Sequence, residues 1–194
     1  MSDPTLLNRL VQLFYPNPEL LGFFEFKKEA ELPEPYRQLL AHHEHLTVTV
    51  EAFHGCSVNV EVLQSFWDPP IYCRKILLKR SCDHRNVQFG LVRLDTSVLS
   101  NEVRDQIIEG LIPLGRILIE HNVLRKVTLE SLWRVECGDE LTSYFENGSI
   151  EFQGHLQPQR NCDPNGRSIT YGRTARIHFG DVPALELLEI VSPA

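Results

Sequence analysis

The chain is short of positive charge, of paired cysteines and of long apolar runs, and each shortage removes a class of function. Lys and Arg number 19 against 26 Asp and Glu, a net charge of −7. Nucleic acid is not an expected partner, because meeting phosphate needs a basic surface. One or two local arginines would still suffice for a small anion. The five cysteines (Cys56, Cys73, Cys82, Cys137, Cys162) are odd in number and show no CxxC spacing. That pattern argues against a disulfide framework and against a zinc site. Reduced thiols and a cytoplasmic location are the expectation. No apolar run approaches the roughly 20 residues of a membrane span. The start, MSDPTLLNRLVQLFYPNP, lacks the basic segment and apolar core of a signal peptide. Gly-rich phosphate loops, GxSxG elbows and HExxH helices are also missing. His42 and His45 in HHEH, with His54 nearby, have no acidic or cysteine ligand at metal spacing. Capping or solvent-facing roles are expected for them, and no metal or cofactor.

What remains is an ordinary globular composition, 42% hydrophobic and 23% charged over 194 residues. One domain over 1–194 is expected. Leu6, Leu7, Leu10, Val11 and Phe14 fall at helical spacing, and Pro16 and Pro18 stop that helix. A short helix follows Pro35. LTVTVEAF (46–53) alternates and predicts a strand, followed after His54-Gly55 by SVNVEVL (57–63). YCRKILLKR (72–80) and VQFGLVRL (87–94) predict a hairpin. Ser100 is a helix N-cap by type and position, and Pro113 opens a second helix, PLGRILIEH. Val127, Leu129, Ser131, Trp133 and Val135 alternate with polar residues, which predicts a sheet covered on one face and wet on the other. Signals weaken from 137 to 168, a stretch read as a surface excursion or flap, with Asn147-Gly148 as a turn. The sum is an α+β fold with a mostly antiparallel sheet.

Two charges break the apolar stripes. In LELLEIV, Leu185, Leu187, Glu189 and Val191 share one strand face. In YCRKILLKR, Tyr72, Arg74, Ile76 and Leu78 share the apolar face, leaving Cys73, Lys75, Leu77 and Lys79 on the wetter one. An unpaired buried charge costs ~3–5 kcal/mol, so each needs a partner. Either Arg74 and Glu189 pair with each other or with nearby polar groups in the core, or they face the two ends of a ligand in an apolar pocket. An arginine fork suits a carboxylate; a glutamate opposite suits a hydroxyl or a moving proton.

The order of YCRKILL, PLGRILIEH, YGRTARI and LLEIVSPA, with HEHLTVTVE before them, resembles the chorismate lyase family. The resemblance covers 72–194 better than 39–53 and leaves 136–168 unmatched. It implies a six-stranded antiparallel sheet with helices packed on one face and a ligand buried beneath flaps. It places the ligand-binding arginine at Arg74, the catalytic glutamate at Glu189, and backbone contacts at Leu114 and at Leu46, where the family has methionine. Arg173, on one face with Tyr171, Ala175, Ile177 and Phe179, is the candidate for a second carboxylate.

The resemblance further implies a cofactor-independent carbon–oxygen lyase that eliminates pyruvate from chorismate to leave 4-hydroxybenzoate. Arg74 and the Leu114 amide would hold the ring carboxylate while Glu189 handles a proton. The expected partner is a small anionic aromatic or cyclohexadienyl acid. The alternative is a sensor domain of the same fold that binds such an acid without turnover, as effector domains of GntR-type regulators resemble chorismate lyase. No winged-helix segment is expected here, since the first helix is too short for one.

Overall fold

The computed structural model describes residues 4–123, 126–146, 162–163 and 166–193. Helix α1 (Pro4–Gln12) precedes strand β1 (Gly22–Lys27). Two short helices, α2 (Tyr36–Leu40) and α3 (Leu46–His54), lead into the long strands β2 (Val58–Asp68), β3 (Ile71–Arg80) and β4 (Asn86–Asp95). Helices α4 (Asn101–Glu109) and α5 (Leu114–Glu120) follow, then β5 (Lys126–Cys137), α6 (Asp139–Glu146), β6 (Ile169–Phe179) and β7 (Val182–Val191).

The strands form one sheet in the order β1-β5-β6-β7-β4-β3-β2, antiparallel throughout. Among the described residues it therefore has seven strands where six were expected, because GFFEFK adds β1 along the edge of β5. The fold is α+β. Helices α2 to α5 pack on one face, over Ile76, Leu78, Val92 and Leu187. That is the face on which Arg74 and Glu189 interrupt the apolar stripe.

The opposite face is also covered, which corrects the expected wet surface. Leu6, Leu7, Leu10 and Val11 of α1 and Leu141 of α6 close over Cys73, Leu77, Phe89, Leu91 and Trp133. Lys75 is buried here, with its ammonium donating to Glu140 Oε1 at 2.9 Å and lying over the Tyr15 ring. Its placement in a wet row read the lysine by type alone. The half-buried Glu140 carboxylate and the rings of Tyr15 and Tyr144 make the position tolerable for a cation.

The 46–53 segment is a second correction: it is helix α3, not a strand. Its β-branched residues favour a strand only weakly, and tertiary packing overrides such preferences. The buried residues are Leu46 and Val50, four apart and so on one helical face, while Val48 and Phe53 are exposed. Gly55 at φ +60° terminates the helix in the left-handed region that a glycine adopts without penalty. The Ser100 cap forms as expected, its hydroxyl accepting from the Val103 amide. Pro113 sits at the N-cap of α5. In β5 a register shift between Leu129 and Ser131 moves Leu132 onto the α2–α5 face, so the alternation seen in the sequence holds only in two halves. The Asn147-Gly148 turn lies outside the described residues.

Candidate functional site

The central strands carry the site because their registers align four even-numbered positions of β3 and β4 with odd-numbered ones of β7. Arg74 is paired across to Val92, and Val92 to Leu187; Gly90 lies between Ile76 and Glu189. All these side chains therefore project toward α2–α5. A narrow cavity of about 40 Å³ lies there, lined by Arg74, Gln88 and Glu189 among apolar neighbours Ile76, Val92 and Leu187. Its roof is the start of α3, at Leu46 and Thr47, and the start of α5, at Leu114 and Gly115. A Cβ on Gly115 would come within 3.2 Å of Thr47 Oγ1, so the glycine lets the two helix starts meet. A cavity of this size holds about two or three waters.

Arg74 is completely buried, yet it is poorly partnered. Its Nη1 donates to the Ile107 carbonyl of α4 at 3.3 Å, while Nε and Nη2 have no hydrogen-bond partner among the described residues. Burial lowers its pKa from the ordinary arginine value, opposed by the neighbouring Tyr72 side chain. Nε–H and Nη2–H lie along one edge of the guanidinium, the edge that grips a carboxylate through two parallel bonds. Gln88, also buried, has an unpartnered Oε1 facing the same cavity. The first amides of α3, at Leu46 and Thr47, have no carbonyl partner within their helix.

Arg74 and Glu189 do not neutralise each other. Glu189 Oε2 instead accepts from Arg173 Nε at 2.7 Å in a buried pair. Arg173 directs its other nitrogens to backbone: Nη1 donates to the His42 carbonyl at 3.1 Å and Nη2 to the Glu44 carbonyl at 3.0 Å. These bonds hold the segment before α3 against β6. Arg173, expected to meet a second carboxylate, is not among the residues lining the cavity. Its face was read correctly from the strand parity, but its donors are used before any ligand arrives.

His42 completes this support. Its Nε2 faces the Leu39 carbonyl at 2.6 Å, and the Glu44 amide donates to its Nδ1 at 3.1 Å. A ring that donates at Nε2 and accepts at Nδ1 is the neutral Nε2–H tautomer. Burial first, and the Arg173 charge second, lower its pKa from the ordinary histidine value.

Four of the five residues singled out from the sequence, Arg74, Glu189, Leu46 and Leu114, line this one cavity; Arg173 stands behind it. Gln88 was missed, although the strand parity that exposed Arg74 also finds it. It shares a face with Gly90, Val92 and Leu94 as the only polar side chain among them. Thr47 was missed because its segment was read as a strand.

No family model and no curated protein matches the chain. Solved structures similar to it include YydK of Bacillus subtilis, described as a possible transcriptional regulator, at 11% identity and a TM-score of 0.42. That likeness covers 70% of this chain and 57% of YydK, so the chain spans little more than half of that protein. PhnF of Mycobacterium smegmatis is similar at 11% identity and a TM-score of 0.46, over 97% of this chain and 93% of PhnF. The lyase expectation is not kept. Neither description names a lyase, and the one for YydK is of a possible transcriptional regulator. Within this chain, the carboxylate expected to move a proton is held in a buried ion pair with Arg173. Among the described residues, no helix is long and apolar enough to cross a membrane.

Proposed function

We propose that the chain is a ligand-binding domain that takes a small carboxylic acid with a planar or near-planar ring and leaves it chemically unchanged. The observation that carries this reading is the uncompensated Arg74 charge, with Nε and Nη2 unpartnered at the wall of a cavity. The Arg173–Glu189 pair is neutral, so the net charge presented by the buried groups is that of Arg74. An anionic ligand supplies what is missing. Its carboxylate would bridge Nε and Nη2, with the α3 amides adding positive dipole. A hydroxyl elsewhere on the ring would donate to Gln88 Oε1. Apolar contact with Ile76, Val92 and Leu187 fits a ring between these polar ends. Ligand entry requires the α3 and α5 starts to part, since the cavity holds only a few waters in this state.

Calorimetric titration with 4-hydroxybenzoate and with 4-hydroxybenzyl alcohol tests the reading. The two share a ring and hydroxyl and differ in the carboxylate. The acid is expected to bind at least ~10-fold more tightly, the smaller end of a charged hydrogen bond's contribution. Chorismate added to the protein should leave pyruvate at the level of a protein-free control. Equal affinity for acid and alcohol would remove Arg74 from the role of anion receptor, and pyruvate release would overturn the absence of turnover.

A further inference from the structure

A second cluster of chemistry lies at the far end of α3, away from the cavity and independent of any ligand assignment. Val58 of β2 is paired with Arg80 of β3. Continuing that antiparallel register by one step places Ser57 opposite Ser81, and the Ser81 amide does donate to the Ser57 carbonyl at 2.8 Å. Their hydroxyls are 2.8 Å apart. One step further sets Cys56 opposite Cys82. Directly opposed positions in an antiparallel pair have Cα atoms about 4.5–5.5 Å apart, within the span a disulfide bridges.

Side-chain contacts agree with the register. The Cys82 amide donates to Cys56 Sγ at 3.2 Å, and Ser81 Oγ lies 3.3 Å from the same sulfur. Cys82 is exposed and Cys56 partly so, in contrast to the buried Cys73 and Cys137. The Arg80–Asp83 ion pair lies beside them, with the Cys82 thiol 3.9 Å from the Asp83 carboxylate. We propose that Cys56 and Cys82 form a reversible redox pair, in which Cys56 is the peroxide-reactive thiol and Cys82 resolves it.

The chemistry balances with a hydroperoxide as the oxidant. The Cys56 thiolate attacks the O–O bond, giving the sulfenic acid and, after protonation, an alcohol or water. The Cys82 sulfur then attacks Cys56, the S–O bond breaks, an S–S bond forms and water leaves with the Cys82 proton. Two electrons leave the sulfur pair and two reduce the peroxide. The division of roles follows from the hydrogen bonds. Donation from Cys82 and Ser81 lowers the Cys56 thiol from its ordinary pKa, while Cys82 is raised by the same contact. A lower thiol pKa supplies more of the reactive thiolate. The bond would tie the C-terminal end of α3 to the turn between β3 and β4.

The experiment uses the full chain, reduced and then exposed to one equivalent of hydrogen peroxide, blocked with an alkylating reagent and digested with trypsin. The Ser81–Arg85 peptide is expected in disulfide linkage to the peptide containing Cys56, and dithiothreitol is expected to release it. In the Cys82→Ser variant, dimedone should label Cys56 as the trapped sulfenic acid; in Cys56→Ser both label and linkage should vanish. Both positions are at the surface, so neither change is expected to alter the melting temperature of the reduced protein. Alkylation of both thiols after peroxide, linkage only between separate chains, or dimedone labelling of Cys82 in the Cys56→Ser protein with undiminished yield would overturn the assignment.

Discussion

Replacing Arg74 by methionine should stabilise the ligand-free protein while abolishing its response to ligand. Methionine roughly follows the arginine stem and carries no charge into the core. In the ligand-free state, two guanidinium nitrogens have no hydrogen-bond partner among the described residues. An unmet buried donor costs ~1–3 kcal/mol, more when charged. Against this, the variant loses a 3.3 Å bond to the Ile107 carbonyl, worth ~0.5–1.5 kcal/mol. A net gain of ~2 kcal/mol is expected, inside the range seen when buried ionic groups give way to apolar ones. For a domain of this size that corresponds to a melting temperature higher by ~4–8 °C. With 4-hydroxybenzoate at 100 times its Kd, the wild type should gain ~2.7 kcal/mol and the variant nothing. Scanning calorimetry of both proteins with and without the acid measures all four quantities. A variant less stable than wild type in the absence of ligand would refute the reasoning, for it would mean that Arg74 is a satisfied structural residue.

The remaining predictions concern what supports the cavity. Glu189→Gln strands the Arg173 charge and should lower stability by ~3–5 kcal/mol in urea denaturation; an unaffected variant would mean that the 2.7 Å pair contributes nothing. His42 has a folded pKa below its unfolded value of 6.5, through burial and the Arg173 charge. The unfolded chain then binds more protons below pH 6.5, so His42's contribution to stability is complete above that pH and declines as pH falls beneath it. His42→Gln should flatten the fall in melting temperature between about pH 6.5 and 5 relative to wild type, leaving the same-signed part from His54, whose pKa is also lowered, by burial and then Arg80. A His42 ring signal titrating at or above 6.5 in NMR would contradict this.

The fold was legible wherever a strand has one clear apolar face. The hairpin of β3 and β4, the helix capped by Ser100 and the terminal strand that carries Glu189 follow from alternation and cap chemistry alone. It was illegible where two cores share one sheet. Cys73, Lys75 and Leu77 read as a wetter row because parity tells two faces apart but not whether α1 and α6 will cover one of them. The α3 segment failed for a different reason. Five residues of LTVTV alternate, so a period of two and a period of 3.6 both place Leu46 and Val50 on one face. Only Gly55, in a left-handed helix cap, favours the helix.

The candidate site was more legible than its wiring, and the difference has a physical origin. A charge inside an apolar stripe is visible in one dimension, because burial of that position is set by its own strand. Its partner is set by the order of strands, which alternation does not encode. Arg74 and Glu189 lie on β3 and β7, separated in the sheet by β4, whereas Arg173 lies on β6, directly beside β7 and in register with Glu189. Neighbouring in-register residues meet at roughly 5 Å, so the adjacent arginine captures the carboxylate. The pairing in turn explains why Arg74 stays uncompensated: the sheet order places the acid beside one arginine and withholds it from the other. Binding capacity in this cavity therefore arises from topology as much as from residue type. Exchanging the charges of Arg173 and Glu189 would keep the buried pair's net charge, but it would turn an arginine toward the cavity and face the two backbone carbonyls that Arg173 now meets with a carboxylate that cannot donate to them.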